Sequence, residues 1–458
     1  MIVKTHILIG CALLAGALPA GFALSQTAGQ GGSAASSSAG STPAQIGIQN
    51  AVVGSSEFGS APDNYPKPAK GEIELSAVAA LGRDMFFDKS LSASGEAACA
   101  TCHDPAFHYT PSDGRVVELG GPHLASPGRR ATPSIAYARY APSFSIGPFI
   151  PDADDMSRLS AIKQNNPDFV IPQGGQFWDG RANTLQQQAL GPLTTPFEMD
   201  NTDSHDLFRK FKDGYGDRLS QLFGPSILED EDMLINEAAF AIARFELEDN
   251  SFHRFDSKYD YYLRGEVDLS DQEKRGLALY NDPKGANCAD CHPNTVAPDG
   301  TPPMFTDYQF EAVGLPRNMD IPENADPTYF DIGLCGPYRT DMTDKTEYCG
   351  FFRAPTLRNT AIRYEFFHNG IFDNLEDVLT FYVQRDIHPE KFYPKKSDGT
   401  VAIYNDLPSE YHGNVDHVDP PFDRKPGDEP ALNDQQIQDL IAYLKTLTDG
   451  FDPQKGSY

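Results

Sequence analysis

The chain has 458 residues, of which 40% are hydrophobic and 22% charged, a balance typical of a soluble globular protein with two or three domains. Its formal net charge of −28 and pI near 4.6 argue against nucleic acid as a partner, because phosphate backbones attract basic proteins. Such an acidic chain suits a basic soluble partner, although the same charge would also simply keep an exported protein in solution.

The first 62 residues predict an export signal followed by a linker. Lys4 precedes an apolar run over 7–17 and a group of small residues, which is the order of a secretory signal. We therefore expect residues 1–25 to be cleaved and the protein to be periplasmic. The apolar run is too short to span a bilayer, and stable membrane insertion is not expected. Residues 26–62 are rich in Gly, Ser and Ala and predict a flexible linker.

Four segments have the apolar spacing of helices: residues 76–87, 232–245, 269–280 and 433–447. Ser270 followed by Glu273 forms a capping-box sequence at the start of the third. The first and the third segment each lead through a short loop into the same five-residue motif. This repetition predicts two domains of one type, with a boundary near residues 261–267.

The repeated motif is Cys-x-x-Cys-His, and its two copies lie 189 residues apart: Cys99, Cys102 and His103, then Cys288, Cys291 and His292. In this motif two thiols on one helical turn bond to the vinyl groups of a haem, and the His is the proximal iron ligand. A zinc half-site would need a second ligand pair close by, and a thioredoxin-like dithiol would need a βαβ context. Neither is present, so the sequence predicts two covalently bound c-type haems.

Cys335 and Cys349 remain when the four motif cysteines and the one in the signal are set aside. They lie 14 residues apart in a loop that contains Gly and Pro. In an oxidising compartment we expect a disulfide between them, with free thiols as the alternative. Closing a loop of this size would contribute ~3 kcal/mol by restricting the unfolded chain.

Strand signals are sparse, whereas the chain has 36 Pro and 39 Gly. This composition predicts a mainly α fold in which the helices are joined by long ordered loops. The haems would replace part of a large hydrophobic core. Residues 63–264 and 265–458 are the two predicted cytochrome c-type haem domains.

Five further motifs follow one another along the chain: Phe-Trp-Asp-Gly-Arg-Ala from 177, Gln-Ala-Leu-Gly-Pro from 188, Pro-Phe-Glu-Met from 196, Pro-Thr-Leu-Arg-Asn from 355 and Phe-His-Asn-Gly from 367. In order and spacing they resemble the bacterial dihaem cytochrome c peroxidase family, which includes MauG. The resemblance covers most of residues 75–450.

The resemblance implies roles for three residues near the first haem. Trp178, the only Trp of the chain, would lie between the haems and relay electrons, with a core anchor as the alternative. Gln188 and Glu198 follow it by 10 and 20 residues, as in the family's distal pocket. Glu198 is the candidate acid/base, because a carboxylate can accept a proton from one peroxide oxygen and return it to the other. Gln188 would position peroxide or water, and a solvated Glu198 at a helix end is the alternative.

The resemblance also suggests a second ligand for the second haem. The family's ordinary peroxidases have a Met 14 residues after the His of their Phe-His-Asp-Gly motif. Here the residue 14 positions after His368 is Tyr382, as in MauG and its relatives. A phenolate favours ferric and higher iron states, whereas a Met thioether favours ferrous iron. An ordinary core aromatic at this position is the alternative.

His123 lies at about the offset where the family's ordinary peroxidases carry a removable ligand of the first haem. His108 is a poorer candidate for this role. MauG-like members lack such a ligand, and a loop histidine without a role is an equal alternative.

The family's calcium site between the haems is altered in this chain. Ala131 stands for an Asn, and Arg363 and Glu365 stand for the Thr and Pro of a Thr-x-Pro segment. Calcium requires six to eight oxygen ligands, so a bound calcium is left open. Arg363 would supply the positive charge in its place, or Glu365 would rebuild an altered site.

These features predict an exported dihaem c-type oxidoreductase. The first haem, in the peroxidatic domain, would react with hydrogen peroxide, and the second, in the electron-transfer domain, would pass electrons. The electron donor would be a small redox protein or residues of a protein substrate, and Tyr382 favours the latter. The alternative is a non-catalytic dihaem electron carrier or redox sensor, against which Gln188 and Glu198 argue. A dioxygen-using enzyme is also left open.

Overall fold

The computed structural model describes residues 65–68, 73–146, 170, 172–297 and 300–458. The predicted signal and linker therefore lie outside the described residues. Within the described ranges, none of the helices combines the length and the apolar character needed to cross a bilayer.

α-Helices and short 3₁₀ turns make up most of the regular structure. The α-helices are α1 Ala77–Phe86, α2 Cys99–Cys102, α3 Leu185–Thr194, α4 Ser204–Phe223, α5 Glu231–Glu248, α6 Lys258–Leu263, α7 Asp271–Tyr280, α8 Cys288–Cys291, α9 Leu375–Gln384 and α10 Asp434–Lys445. The 3₁₀ turns are Lys89–Leu91, Pro105–Phe107, Pro122–Leu124, Ala138–Tyr140, Pro225–Glu229, Asn250–Phe252, Pro322–Ala325, Thr346–Tyr348, Thr360–Ile362, Pro389–Lys391 and Ser409–Asn414.

The described strands are only two residues long: β1 Leu119–Gly120, β2 Ser126–Pro127, β3 Phe310–Glu311 and β4 Phe352–Arg353. β1 pairs with β2, and β3 pairs with β4, both antiparallel. In the second pair Phe310 faces Arg353 and Glu311 faces Phe352. The predicted mainly α class is confirmed.

The four predicted helices are confirmed as α1, α5, α7 and α10, and their first turns show why they begin where they do. The Ser76 hydroxyl accepts a hydrogen bond from Ala79 N at 3.1 Å at the start of α1. The capping box before α7 is present, because Ser270 Oγ accepts from Glu273 N at 3.3 Å and Glu273 Oε2 accepts from Ser270 N at 2.6 Å. Each side chain thus satisfies an amide that the helix leaves unpaired.

α3, α4 and α9 were not predicted as helices. Gly214 and Gly216 interrupt the sequence of α4, and each has a low intrinsic helix propensity. The helix nevertheless buries apolar residues at helical spacing, among them Leu207, Phe211 and Leu219. Because packing against α5 contributes more than local propensity, the segment folds as a 20-residue helix.

Two aromatic-rich cores follow from two helix crossings. In the first, α1 packs on α5, and the Phe86 ring meets the Phe245 ring edge-on with centroids 5.5 Å apart. In the second, α7 packs on α10, and Tyr280 meets Tyr443 at 5.1 Å. The first Cys-x-x-Cys-His motif packs against the first core, and the second motif against the second.

A glycine lies at the centre of each crossing. A Cβ atom at Gly82 in α1 would be 1.7 Å from the Ala241 carbonyl oxygen in α5. A Cβ atom at Gly276 in α7 would be 2.1 Å from the Asp439 carbonyl oxygen in α10. The two helix pairs therefore approach backbone to backbone, and any side chain at either glycine would force them apart.

The predicted disulfide between Cys335 and Cys349 is formed, and both residues are buried. The loop that it closes belongs to a small apolar core with Phe310 of β3 and with Phe351, which precedes β4. The disulfide therefore stabilises the loop against which the β3–β4 pair packs.

The predicted domain boundary falls in a well-packed part of the chain. α6 lies at this place, and its Tyr259, Tyr262 and Leu263 pack in the second core. Its Asp260 makes a fully buried, two-pronged ion pair with Arg358 of the Pro-Thr-Leu-Arg-Asn motif, with N–O distances of 2.9 and 3.0 Å. The boundary at residue 264 stays a prediction.

We expect Gly82→Ala to destabilise the protein by about 1–3 kcal/mol, because the new methyl group overlaps the backbone of α5. Gly214→Ala is the matched control, since it is also a helical glycine but has no atom within 4 Å of its added Cβ. The control should gain about 0.5–1 kcal/mol from helix propensity. Guanidinium unfolding followed by circular dichroism measures the free energy of unfolding of both variants. An equal gain in stability for Gly82→Ala and Gly214→Ala would contradict the close approach of α1 and α5.

Candidate functional site

Each Cys-x-x-Cys-His motif forms one helical turn that presents its two thiols and its imidazole together. His103 N donates to Cys99 O at 3.0 Å, and His292 N donates to Cys288 O at 2.9 Å. The four motif cysteines are not disulfide-bonded. The turn therefore places each histidine directly after a pair of free thiols.

Both histidines are oriented by a backbone carbonyl. His103 Nδ1 lies 3.2 Å from Tyr109 O, and His292 Nδ1 lies 2.8 Å from Phe305 O. A protonated Nδ1 donates to the carbonyl, so the lone pair of Nε2 is left for a metal. Burial lowers the pKa of His103 to about 4 and also lowers the pKa of His292, so both rings are neutral at pH 7.

The four motif thiols stay protonated at neutral pH. Burial raises the pKa of Cys99 and of Cys288 to about 12, and it raises the pKa of Cys102 and of Cys291 as well. Zinc ligation and dithiol exchange both require thiolates. Among the residues that the structure describes, no three His, Cys, Asp or Glu side chains cluster in a way that would hold a metal ion. The paired thiols and the adjacent imidazole suit the predicted attachment of a haem at both motifs.

Trp178 lies in a sharply turned loop that touches both halves of the chain. The loop is closed by a hydrogen bond from Gln176 N to Ala182 O at 2.7 Å. The indole is 8% exposed, and its Nε1 donates to Ala131 O at 2.8 Å. The carbonyl of Trp178 accepts from Arg353 N at 2.9 Å. Trp178 is therefore held at its ring by the first half and at its backbone by the second.

The residue after Trp178 is the centre of a buried charge network. Asp179 is fully buried and accepts from Arg130 at 2.7 Å and from Arg181 at 3.0 Å. Arg130 also makes a two-pronged pair with Asp331. Burial alone would raise the pKa of Asp179, but the Arg130 and Arg181 guanidinium groups lower it below its ordinary value. Asp179 and Arg181 belong to the Phe-Trp-Asp-Gly-Arg-Ala motif, but no role was predicted for either residue.

Gln188 lies in α3 and lines a cavity together with Phe177, Tyr308 and Arg353. Phe177 immediately precedes Trp178, so the cavity joins Gln188 to the tryptophan loop. The structure thus brings together two of the three residues predicted near the first haem.

Glu198 follows the end of α3 and is held by its backbone. Its N donates to Thr195 O at 3.0 Å, and its O accepts from Gly121 N at 2.7 Å. Burial raises the pKa of its carboxyl group to about 7, although Arg181 and the Thr195 hydroxyl oppose this rise. Arg181 links Glu198 electrostatically to Asp179 and hence to the tryptophan loop.

Tyr382 lies in α9, close to the second cysteine pair. Its ring is within 5.6 Å of the Phe367 ring and 5.4 Å of the Phe422 ring. Burial raises the pKa of the Tyr382 phenol, and the nearby Cys291 and Cys288 thiols add to this effect. The position suits the predicted second ligand of the second haem, and it is equally compatible with an aromatic core residue.

The two histidines considered as removable ligands differ in environment. The His123 side chain is exposed, in a turn whose Gly121 amide binds the Glu198 carbonyl. His108 is partly buried, and burial lowers its pKa to about 4. The loop of His123 therefore contacts the predicted distal segment through its backbone.

The residues at the altered calcium position pair with each other. Arg363 donates to Glu365 Oε1 at 2.8 Å and to Thr132 O at 3.0 Å. Burial raises the pKa of Glu365 to about 7, although Arg363 opposes this. One carboxylate oxygen is thus engaged by a cation of the chain itself, and the calcium stays an untested prediction.

Comparison with known proteins identifies the family. A family model described as "Di-haem cytochrome c peroxidase" matches residues 76–268. MauG of Paracoccus denitrificans is 31% identical over 401 residues, which cover 83% of this chain and 92% of that protein. Cytochrome c551 peroxidase of Nitrosomonas europaea is 28% identical, covering 67% of this chain and 72% of that protein.

A solved structure agrees with these relatives. The diheme peroxidase BthA from Burkholderia thailandensis shares 34% identity with a TM-score of 0.69, over 86% of this chain and 93% of that one. The resemblance inferred from the motifs is confirmed, and the family implies two c-type haems. The chain belongs to the di-haem cytochrome c peroxidase family and is a di-haem oxidoreductase of the peroxidase type.

Proposed function

We propose that the protein is exported, loses residues 1–25, and carries two haems bonded to its paired thiols, Cys99 with Cys102 and Cys288 with Cys291. His103 and His292 are the iron ligands, and hydrogen peroxide is the oxidant. When bound, the haem at His103 supplies an iron that exchanges electrons with peroxide. The observation that carries this proposal is the half-buried Glu198, whose carboxyl pKa of about 7 suits proton transfer at neutral pH.

Glu198 and Gln188 perform the proton and positioning work. The Glu198 carboxylate accepts a proton from the nearer peroxide oxygen and returns it to the departing oxygen. The Gln188 amide, which lines the adjoining cavity, orients peroxide or water by hydrogen bonding. An electron carrier would have no use for a titrating carboxylate there, so these residues favour an enzyme over a carrier or sensor. The exposure of His123 favours a first haem without a ligand from that side chain.

Trp178 relays electrons between the two haems. The indole is oxidisable, and its ring is fixed by the hydrogen bond to Ala131 O while its peptide is fixed by Arg353 N. Tyr382 would hold the haem at His292 as well, and its phenolate oxygen would favour oxidised iron. Both features suit an enzyme that stores two oxidising equivalents rather than one that only admits single electrons.

The electron donor is a protein. Tyr382 favours oxidation of residues of a protein substrate, as in a MauG-like reaction. The net charge of −28 is compatible with a basic small redox protein as well, as in a cytochrome c peroxidase. In both cases the donor binds from solution, and neither nucleic acid nor a membrane is required.

We expect Glu198→Gln to slow the reaction with peroxide by about 10²–10⁴-fold, because general acid/base catalysis contributes on this order. In the unaltered protein the rate should rise with pH through about 7, since only the ionised carboxyl accepts a proton. At pH 6 the rate should be roughly tenfold below its plateau, and the variant should lose this dependence. Stopped-flow absorption of the haem band measures both.

The exposed Glu229 provides the control, because Glu229→Gln removes the same charge outside the haem motifs and the tryptophan loop. Haem content should be unchanged in both variants. An unaltered peroxide rate in Glu198→Gln would contradict the enzyme and favour an electron carrier.

Tyr382→Met should raise the reduction potential of the second haem by on the order of 100 mV, because axial ligands set haem potentials over ~0.8 V. Phe381→Met changes the neighbouring fully buried aromatic of α9 and controls for lost packing. Potentials come from spectroelectrochemistry, and electron paramagnetic resonance reports the ligand change. If Tyr382→Met and Phe381→Met change the reduction potentials by the same amount, Tyr382 is a core residue and not a ligand.

Trp178→Phe should slow electron transfer between the haems several-fold, because phenylalanine is much harder to oxidise. It also removes the hydrogen bond to Ala131 O, which costs about 1 kcal/mol. Pulsed reduction of one haem, followed by the absorbance of the other, measures the transfer rate. Haem content and the unfolding temperature serve as controls, and transfer at the unaltered rate would exclude the relay.

A further inference from the structure

Arg353 is a buried cation that lacks a counter-charge. It is the last residue of β4, and its guanidinium Nη1 donates to Gly175 O at 2.6 Å. Its Nε is buried and has no hydrogen-bond partner in the described part of the chain. Burial lowers its pKa, which is the response of a cation that is not paired.

Three other arginines of this region that have little solvent exposure each meet a carboxylate. Arg358 pairs with Asp260 and Arg363 with Glu365, while Arg130 pairs with both Asp179 and Asp331. No described carboxylate lies within ion-pair distance of Arg353. The nearest acidic influence on it is Asp179, which already binds two guanidinium groups. Burying a charge without a partner is costly, so the Arg353 guanidinium is suited to hold an anion.

The surroundings of Arg353 show where this anion would lie. Arg353 lines the cavity that also contains Gln188 and Tyr308, on the side of the first haem. Two residues further along the chain, the backbone of Pro355 lies against the His292 ring, on the side of the second haem. Arg353 therefore shares a cavity with Gln188 and lies two residues before a backbone group that contacts His292.

We propose that Arg353 binds a propionate carboxylate of a haem through Nε and its terminal nitrogens. This proposal rests on the two bound haems. A guanidinium matches a carboxylate with two parallel hydrogen bonds, and a haem propionate is the anion that the family's cofactor brings to this place. The pair would neutralise both charges in a poorly solvated site and stabilise the reduced form of that haem. Because Arg353 N also binds the Trp178 carbonyl, the propionate would be tied to the relay residue.

Arg353→Met and Arg353→Lys test the proposal in the haem-loaded protein. The propionate bending bands of the resonance Raman spectrum and the two reduction potentials are the readouts. In Arg353→Met one potential should fall, because loss of a cation favours oxidised iron, and the bands of that haem should shift. Arg353→Lys should lower the same potential less. Arg218→Met, at an exposed ion pair with Asp84, controls for the change in net charge.

The two haems, distinguished by their spin states in electron paramagnetic resonance, show which propionate is bound. Unshifted bands and potentials at full haem content would overturn the proposal, as would equal shifts of both haems that match those of Arg218→Met. If Arg353→Met loses haem, Arg353→Lys decides, since a shifted propionate band supports the pair and an unshifted one overturns it. The peroxide rate of Glu198→Gln is independent of this result, so failure here leaves the proposed function standing.

Discussion

The buried carboxylate of Asp179 is the constraint on which the site depends. A charge without solvent contact is stable only if fixed cations surround it, and losing one partner would leave the others unbalanced. Arg130 and Arg181 supply these cations, and the Asp179 carbonyl accepts a further hydrogen bond from Arg339 at 3.0 Å. Loops from distant parts of the chain are thereby fixed around one residue, directly beside Trp178.

The chemistry of the site extends outward from this network. Arg181 opposes the effect of burial on the pKa of the Glu198 carboxyl group, so Glu198, the proposed proton-transfer group, senses the same charges that fix the tryptophan loop. Arg130 stacks over the Tyr338 ring at 4.7 Å and holds Asp331, which extends the network toward the disulfide-closed loop. The two motif histidines directly follow helical turns, whereas Trp178 and Glu198 lie in loops. This division follows from the need for a rigid scaffold beneath adaptable connections.

The local parts of this architecture could be predicted from the sequence, because each depends on residues that are close together along the chain. The two haem motifs, the capping box at Ser270 and the disulfide of Cys335 each involve residues within about one loop of one another, and the structure contains all of them. The long-range parts could not be predicted. The close approach at Gly82 depends on a carbonyl 159 residues away at Ala241, and the unpaired Nε of Arg353 depends on which of the described side chains fold around it. Periodicity carries no information about either. A glycine within a helix, four residues before a buried aromatic in both repeats, was the one available signal for the crossings.

The two-sided attachment of Trp178 bears on how fast electrons can tunnel. Electron-tunnelling rates fall steeply with distance. Thermal motion that changes the distance between two redox centres therefore ordinarily makes these rates fluctuate. The Trp178 indole is hydrogen-bonded to Ala131, and the Trp178 peptide is hydrogen-bonded to Arg353. If the segment of Ala131 or the segment of Arg353 moves, the ring therefore moves with it. Little atomic rearrangement would accompany a change of its charge, which keeps the reorganisation energy small. In the proposed relay role of Trp178, the hydrogen bonds that shape the loop would thus also keep the electron-transfer distances constant.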